Sequence, residues 1–269
     1  GQSVERLRRF QAELNQDAIA TLDLGVTGEM AVAGEIREGV AVRHVAGYLP
    51  GAAGAIPGGG EALDSQMVLV LAQLDQPPPN PDGVLAPGAG EAGGVAVMLE
   101  AIRALQESGY QPYRTLLFVA FSGEGLEGGQ FQGEPEAAQF LKGKYGFADA
   151  FDVVGVIRLR GLGVGDGKRL MLAAGGNQRL AQLFQRAARH MDTSTGRAKE
   201  PVDISVVFDE GSPFDSGQET PAIRLFWEGW PSLARTPQDS PERLSAQKLQ
   251  QAGRTLAEAL MVLGREREY

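Results

Sequence analysis

Cysteine is absent from the 269 residues. That excludes disulfides, thiolate catalysis and cysteine-ligated zinc. It leaves the compartment open, because a domain of this size needs no disulfides wherever it resides. Histidine is nearly absent, with only His44 and His190 in the chain. No apolar run approaches the roughly 20 residues needed to cross a bilayer. Concentrated positive charge is missing as well: the net charge is −9 and the sequence pI about 4.9. Nucleic acid is therefore not an expected partner, since phosphate binding needs a clustered basic surface. The short "RLRRF" at residues 6–10 reads as the solvated face of an amphipathic helix. The chain begins with Gly1, as expected of a processed or excised piece, so a leader or membrane anchor elsewhere stays open.

What is present is the material of a core. Hydrophobic residues make up 43% of the chain, ordinary for a globular protein. Val4, Leu7, Phe10 and Leu14 recur at helical spacing. "GVAVRHVAGYL" (39–49) reads as a strand, and the nearly all-apolar "MVLVLAQL" (67–74) as a central strand covered on both faces. A proline- and glycine-rich loop follows, of a length that is usually functional or disordered. A helix marked by Val95, Met98, Leu99, Ile102 and Leu105 comes next, closed by Gly109. "TLLFVAF" (115–121) and "FDVVGVIRLR" (151–160) read as strands, with a helix over 135–145 between them. "KRLMLAA" (168–174) reads as a hairpin partner of 151–160. A helix at 178–190, strands at 204–208 and 222–227, and a helix from Ser245 carrying Leu249, Ala252, Leu256, Leu260 and Leu263 complete the chain. Strands alternating with helices predict a single domain with a largely parallel or mixed sheet between helical layers.

Several familiar motifs fail on spacing. In "RGLGVGDG" (160–167) neither glycine frame completes G-x-G-x-x-G, and a tight turn is the better reading. No P-loop occurs. Ser122 in "AFSGE" lacks the first glycine of a nucleophile elbow. Neither histidine sits in a catalytic motif, so structural or surface roles outweigh catalysis for both. By contrast, Glu124 and Glu127 in "AFSGEGLEGG" leave the carboxyl end of a predicted strand, where open α/β sheets keep their chemistry.

Taken in order, seven segments resemble one family, the zinc aminopeptidases with two co-catalytic metals, whose fold glutaminyl cyclases and the nicastrin and transferrin-receptor ectodomains share. "VRHVAGYLPG" is similar to the family's entry strand and "VLVLAQLDQ" to the strand ending H-x-D. "PGAGEAGGVAVMLEAIRAL" resembles P-G-A-x-D-x-x-S-G-V-A with its helix. "LLFVAFSGEGLEGG" resembles the turn E-E-x-G-x-x-G-S, and "VVGVIRLRGLG" a strand ending L-D-M-x-G. "SPFDSGQETPAIRL" resembles S-x-F-x-x-x-G-I-P-A, and "ARTPQDSPERL" resembles H-T-P-x-D-T-x-D. The resemblance implies a three-layer α/β/α sandwich around a mixed, mostly parallel sheet. It also leans toward an extracytoplasmic location.

Carried across one residue at a time, the resemblance puts the metal-ligand positions on Gln73, Glu91, Gly125, Arg160 and Arg235. The ligand-orienting aspartate falls on Asp75 and the general base on Glu124. The histidine that often precedes the S-x-F segment in glutaminyl cyclases corresponds to Gly211. Only Glu91 keeps a carboxylate among the five. Zinc takes nitrogen, sulfur or carboxylate donors at about 2.0–2.3 Å. Glycine has no donor side chain, an amide is a poor one, and arginine is permanently cationic. Arg160 and Arg235 are accordingly expected to neutralise Glu91, Glu124 and Asp75 through charge-assisted hydrogen bonds. Without a zinc-bound water of pKa near ~7, Glu124 becomes a feeble base and a remnant.

The expectation is thus a metal-free, non-catalytic aminopeptidase-fold domain kept for binding or assembly, with a peptide or protein partner. Trp227, Trp230 and Phe214 are candidates to line the former pocket, with core and rim packing as the equal alternative for the tryptophans. A rival reading is an active metallohydrolase using Asp75, Glu91, Glu124, Glu127, Asp166, Asp209, Glu210 and Asp215 as an oxygen-only site, which would favour calcium, magnesium or manganese. A third is a metal-independent enzyme acting on an anionic substrate through the arginines, for which the sequence supplies no nucleophile–base pair.

Overall fold

β-Branched and apolar runs dictate the centre of the fold, seen in a computed structural model that describes residues 43–52, 63–76, 83–127, 130–131, 151–174, 178–194, 203–208 and 221–267. Strand β1 is Val45–Leu49, β2 Gln66–Gln73 and β3 Thr115–Phe121. Strands β4 (Glu124–Glu127) and β5 (Gln130–Phe131) form a separate two-stranded ribbon. Strands β6 (Asp152–Leu159), β7 (Leu170–Ala174), β8 (Ile204–Phe208) and β9 (Ala222–Trp227) complete a seven-stranded sheet in the order β1-β3-β2-β6-β9-β7-β8. The sheet is mixed. Strands β3, β2, β6 and β9 run parallel, while β1 and β7 pair antiparallel with β3 and β9.

Side-chain alternation gives this sheet two apolar faces. Val68, Val70 and Ala72 of β2 join Leu116, Phe118 and Ile157 on one side; Met67, Leu69 and Leu71 join Leu117, Val119 and Val156 on the other. The first face carries helices α1 (Ala89–Glu107), α2 (Gln178–Ser194) and α4 (Ala246–Arg265), with α4 packed between the other two. Helix α3 is the single turn Trp230–Leu233. Ala252, Leu256, Leu260 and Leu263 of α4 are wholly buried, as its spacing predicts. Helix α1 ends where Gly109 allows a left-handed turn (φ 65°): Tyr110 N–H donates to Leu105 O and Gly109 N–H to Gln106 O. No helix among the described residues is long and apolar enough to cross a membrane.

Three expectations are corrected. Strand β7 is no hairpin partner of β6, because β9 is inserted between them and pairs with both. Glu124–Glu127 is a short strand and not a turn. Leu99 is 58% exposed, and Val97 and Ala101 take the buried positions of α1 beside Met98 and Leu105. The helices expected near residues 4–14 and 135–145 lie outside the described residues.

Candidate functional site at the carboxyl ends of the parallel strands

Parallel pairing in register sets Gln73 against Phe121 and Ala72 against Leu159. The segments that leave β2, β3 and β6 therefore emerge side by side at one edge. Helix α1, the crossover from β2 to β3, starts there and carries Glu91 in its first turn, where the helix dipole favours an anion. Glu91 is 3% exposed and Gln73 1%.

Arg160, the residue after β6, joins these groups. Its Nε donates to Glu91 Oε1 at 3.0 Å, and its Nη2 donates to the same oxygen and to Gln73 Oε1 at 3.1 Å. Gln73 Nε2 in turn donates to Asp75 Oδ1 at 3.3 Å, and Asp75 Oδ2 accepts from Gly123 N–H at 2.7 Å. The result is a chain running Asp75, Gln73, Arg160, Glu91. A neutral amide suits the second place, since it offers a donor to an anion and an acceptor to a cation.

The guanidinium also lies over the Trp230 ring, 5.5 Å from its centroid. That ring is wedged against bare backbone. A Cβ on Gly161, whose φ is +55°, would come within 1.9 Å of the indole, and one on Gly90 within 2.5 Å of Trp230 Nε1. Asp239 ties down the start of α1: its Oδ1 accepts from Gly90 N–H at 2.8 Å and its carbonyl from Ala89 N–H at 3.1 Å. Burial pushes the Asp239 carboxyl above the ordinary aspartate range, opposed by the Gly90 N–H. Sequence reasoning missed the roles of Asp239, Gly90 and Gly161. Asp239 stood inside a quoted motif, but its partner is 149 positions away in the chain.

Residues 53–260 match the profile of peptidase family M28. The chain belongs to peptidase family M28. Among solved structures, this M28 domain is similar to a zinc aminopeptidase from Bacillus subtilis, at 20% identity and a TM-score of 0.60 over 84% of this chain and 51% of that one. It is also similar to an Acidobacteriales bacterium glutaminyl cyclase, at 16% identity and a TM-score of 0.60 over 83% and 74% of the two chains. The third is nicastrin, at 10% identity and a TM-score of 0.57 over 84% and 44%. The M28 domain thus spans about half the length of the aminopeptidase. No curated protein matches it in sequence. The likeness fixes the architecture as the three-layer α/β/α sandwich expected from the sequence.

Does the described part of this M28 site fit a zinc pair? It does not. The described donors are two carboxylates, Glu91 and Asp75, and the Gln73 amide oxygen, and each already accepts N–H donors. A permanent cation stands among them, where divalent ions would be repelled. Among the described residues, no three His, Cys, Asp or Glu side chains gather as a metal would require.

The remaining sequence candidates scatter. Trp227 is 1% exposed in the core, with Nε1 donating to Gly167 O at 2.9 Å, so it lines no open pocket. Trp230 is a wall against Arg160 and the glycines, not a free platform. Arg235 is exposed and holds φ 63°, the one non-glycine left-handed residue among those described, a backbone strain of the kind found at functional sites. Asp166 is 82% exposed and pairs with Arg243 at 3.2 Å. For Glu124, Gly125 and Glu127 the structure describes the backbone alone, in β4. Asp209, Glu210, Gly211, Phe214 and Asp215 lie outside the described residues. Ser122 Oγ donates to Arg43 O at 2.6 Å, while its backbone N–H meets His44 Nδ1 at 3.3 Å, so these two form no nucleophile–base pair. His190 sits on the α2 surface beside Glu258, with Nδ1 and Oε1 2.9 Å apart.

Proposed function

We propose that this M28 domain is non-catalytic, works without a metal cofactor, and is kept for binding or assembly with a peptide or protein partner. The observation that carries the reading is Arg160 bonded at once to Glu91 and Gln73. These are the positions at which the family resemblance puts metal ligands, and a guanidinium now holds them. Peptide hydrolysis in this family needs a water acidified by zinc, from pKa ~15.7 to near ~7. An unassisted carboxylate of pKa ~4.3 cannot replace that step. Nicastrin, a component of gamma-secretase, supports an assembly role for the fold. The extracytoplasmic location belongs to the same proposal.

The test is direct. Purified protein should carry far less than one equivalent of zinc by elemental analysis. It should show no turnover of aminoacyl-arylamides above blank, with or without added zinc. Stoichiometric metal together with turnover would instead establish the displaced-ligand metallohydrolase.

A further inference from the structure

The environment of Arg160 is more specific than a generic counter-charge requires. It combines a nearly buried carboxylate oxygen from α1, a buried amide oxygen from β2 and the face of an indole from α3. Each suits a flat cation with in-plane donors. The oxygens take N–H groups from two nitrogens of the fork, and the indole takes its positive charge. An ammonium is drawn to the indole too, but its single nitrogen cannot reproduce two separate nitrogens bonded to Glu91 Oε1 with one of them also reaching Gln73 Oε1, and a metal ion gains no ligand from the ring. The walls are also fixed independently of the guanidinium. Glu91 is set by a helix start tied to Asp239, Gln73 by β2 and Asp75, and Trp230 by its wedge against Gly90 and Gly161.

We propose that Glu91, Gln73 and Trp230 form a preorganised cage for one planar monovalent cation, with Arg160 as its tethered occupant. The inference rests on the metal-independent reading above, and it identifies what replaces the metal. A cage built by its own walls persists when the tether is cut, so it takes a guanidinium compound from solution.

The experiment is chemical rescue of Arg160→Ala, read by thermal unfolding with methylguanidinium, ethylammonium or Zn²⁺ at about 1–20 mM, concentrations suited to millimolar affinity. Cutting a buried pair on one side should lower the midpoint by about 6–15 °C. Methylguanidinium should recover at least half of that loss and leave the wild type unmoved. Ethylammonium should recover little. Equal rescue by ethylammonium, or no rescue at all, overturns the cage. A zinc-raised midpoint in the wild type would instead overturn the metal-independent reading, so the two failures are distinguishable. If Arg160→Ala folds only when methylguanidinium is present, the cage is upheld in its stronger form. If it folds under neither condition, Glu91→Gln/Arg160→Met decides. Removing both charges together should leave a folded protein within a few degrees of wild type that ignores methylguanidinium. A double variant that does not fold, or that still responds, overturns the proposal.

Discussion

Gln73 shows how one side chain can reconcile two opposite charges. Its amide hydrogens face Asp75 and its oxygen faces Arg160, so neither neighbour is left against a like dipole. The same logic works at the surface. Glu228 accepts from Arg169 Nε at 3.1 Å and from the backbone N–H groups of Lys168 and Arg169 at 3.2 and 3.3 Å. The Arg169 guanidinium is the main reason its carboxyl falls from 4.5 to about 2. A depressed carboxylate contributes stability that is complete above about pH 4.5 and fades as the pH falls toward 2. Glu228→Gln should therefore lower the unfolding midpoint modestly at pH 7 and by much less near pH 2. Because the pair is partly exposed, added salt should shrink the difference at neutral pH. Thermal scans at the two pH values and two ionic strengths check this.

At the scale of elements, the site depends on where α1 begins. Gly88 precedes the helix and supplies no side-chain cap. Asp239 provides one from a loop far along the chain. Asp239→Ala should cost about 1–2 kcal/mol, as other N-cap losses do. It should also loosen the first turn that carries Glu91, visible as faster amide exchange at residues 89–92 without a change in the other helices. Element types were legible because their periods were clear: β3, β8 and β9 have the predicted bounds. The partner of β7 was not legible. The segment that separates β6 from β7 in space is β9, which arrives some 50 residues later in the chain. Apolar pattern says that a strand is buried, not beside which strand. Leu99 was misplaced for a related reason: one buried helix face is wide enough that spacing alone admits neighbouring stripes.

For the whole molecule, α4 is the hinge of stability. It packs between α1 and α2, and Arg114, 3% exposed, clamps its far end through Leu263 O at 2.6 Å while Tyr110 OH donates to Met261 O at 2.7 Å. Leu260→Ala, at a wholly buried position, should cost about 2–5 kcal/mol. Denaturant titration checks it: the midpoint falls while the slope stays constant, because the same surface is exposed on unfolding. The sequence by itself determined the fold class and the family, since both rest on the order of short local patterns, and these survive 20% identity to a solved relative. It also located Gln73, Glu91 and Arg160 as positions of interest. Only the tertiary structure decided what these residues do to one another. Hydrogen bonds between groups 69 and 87 positions apart arise from strand register and a helix start, and no local pattern encodes them. The same holds for Trp230, whose place beneath Arg160 depends on two glycines leaving room for a ring.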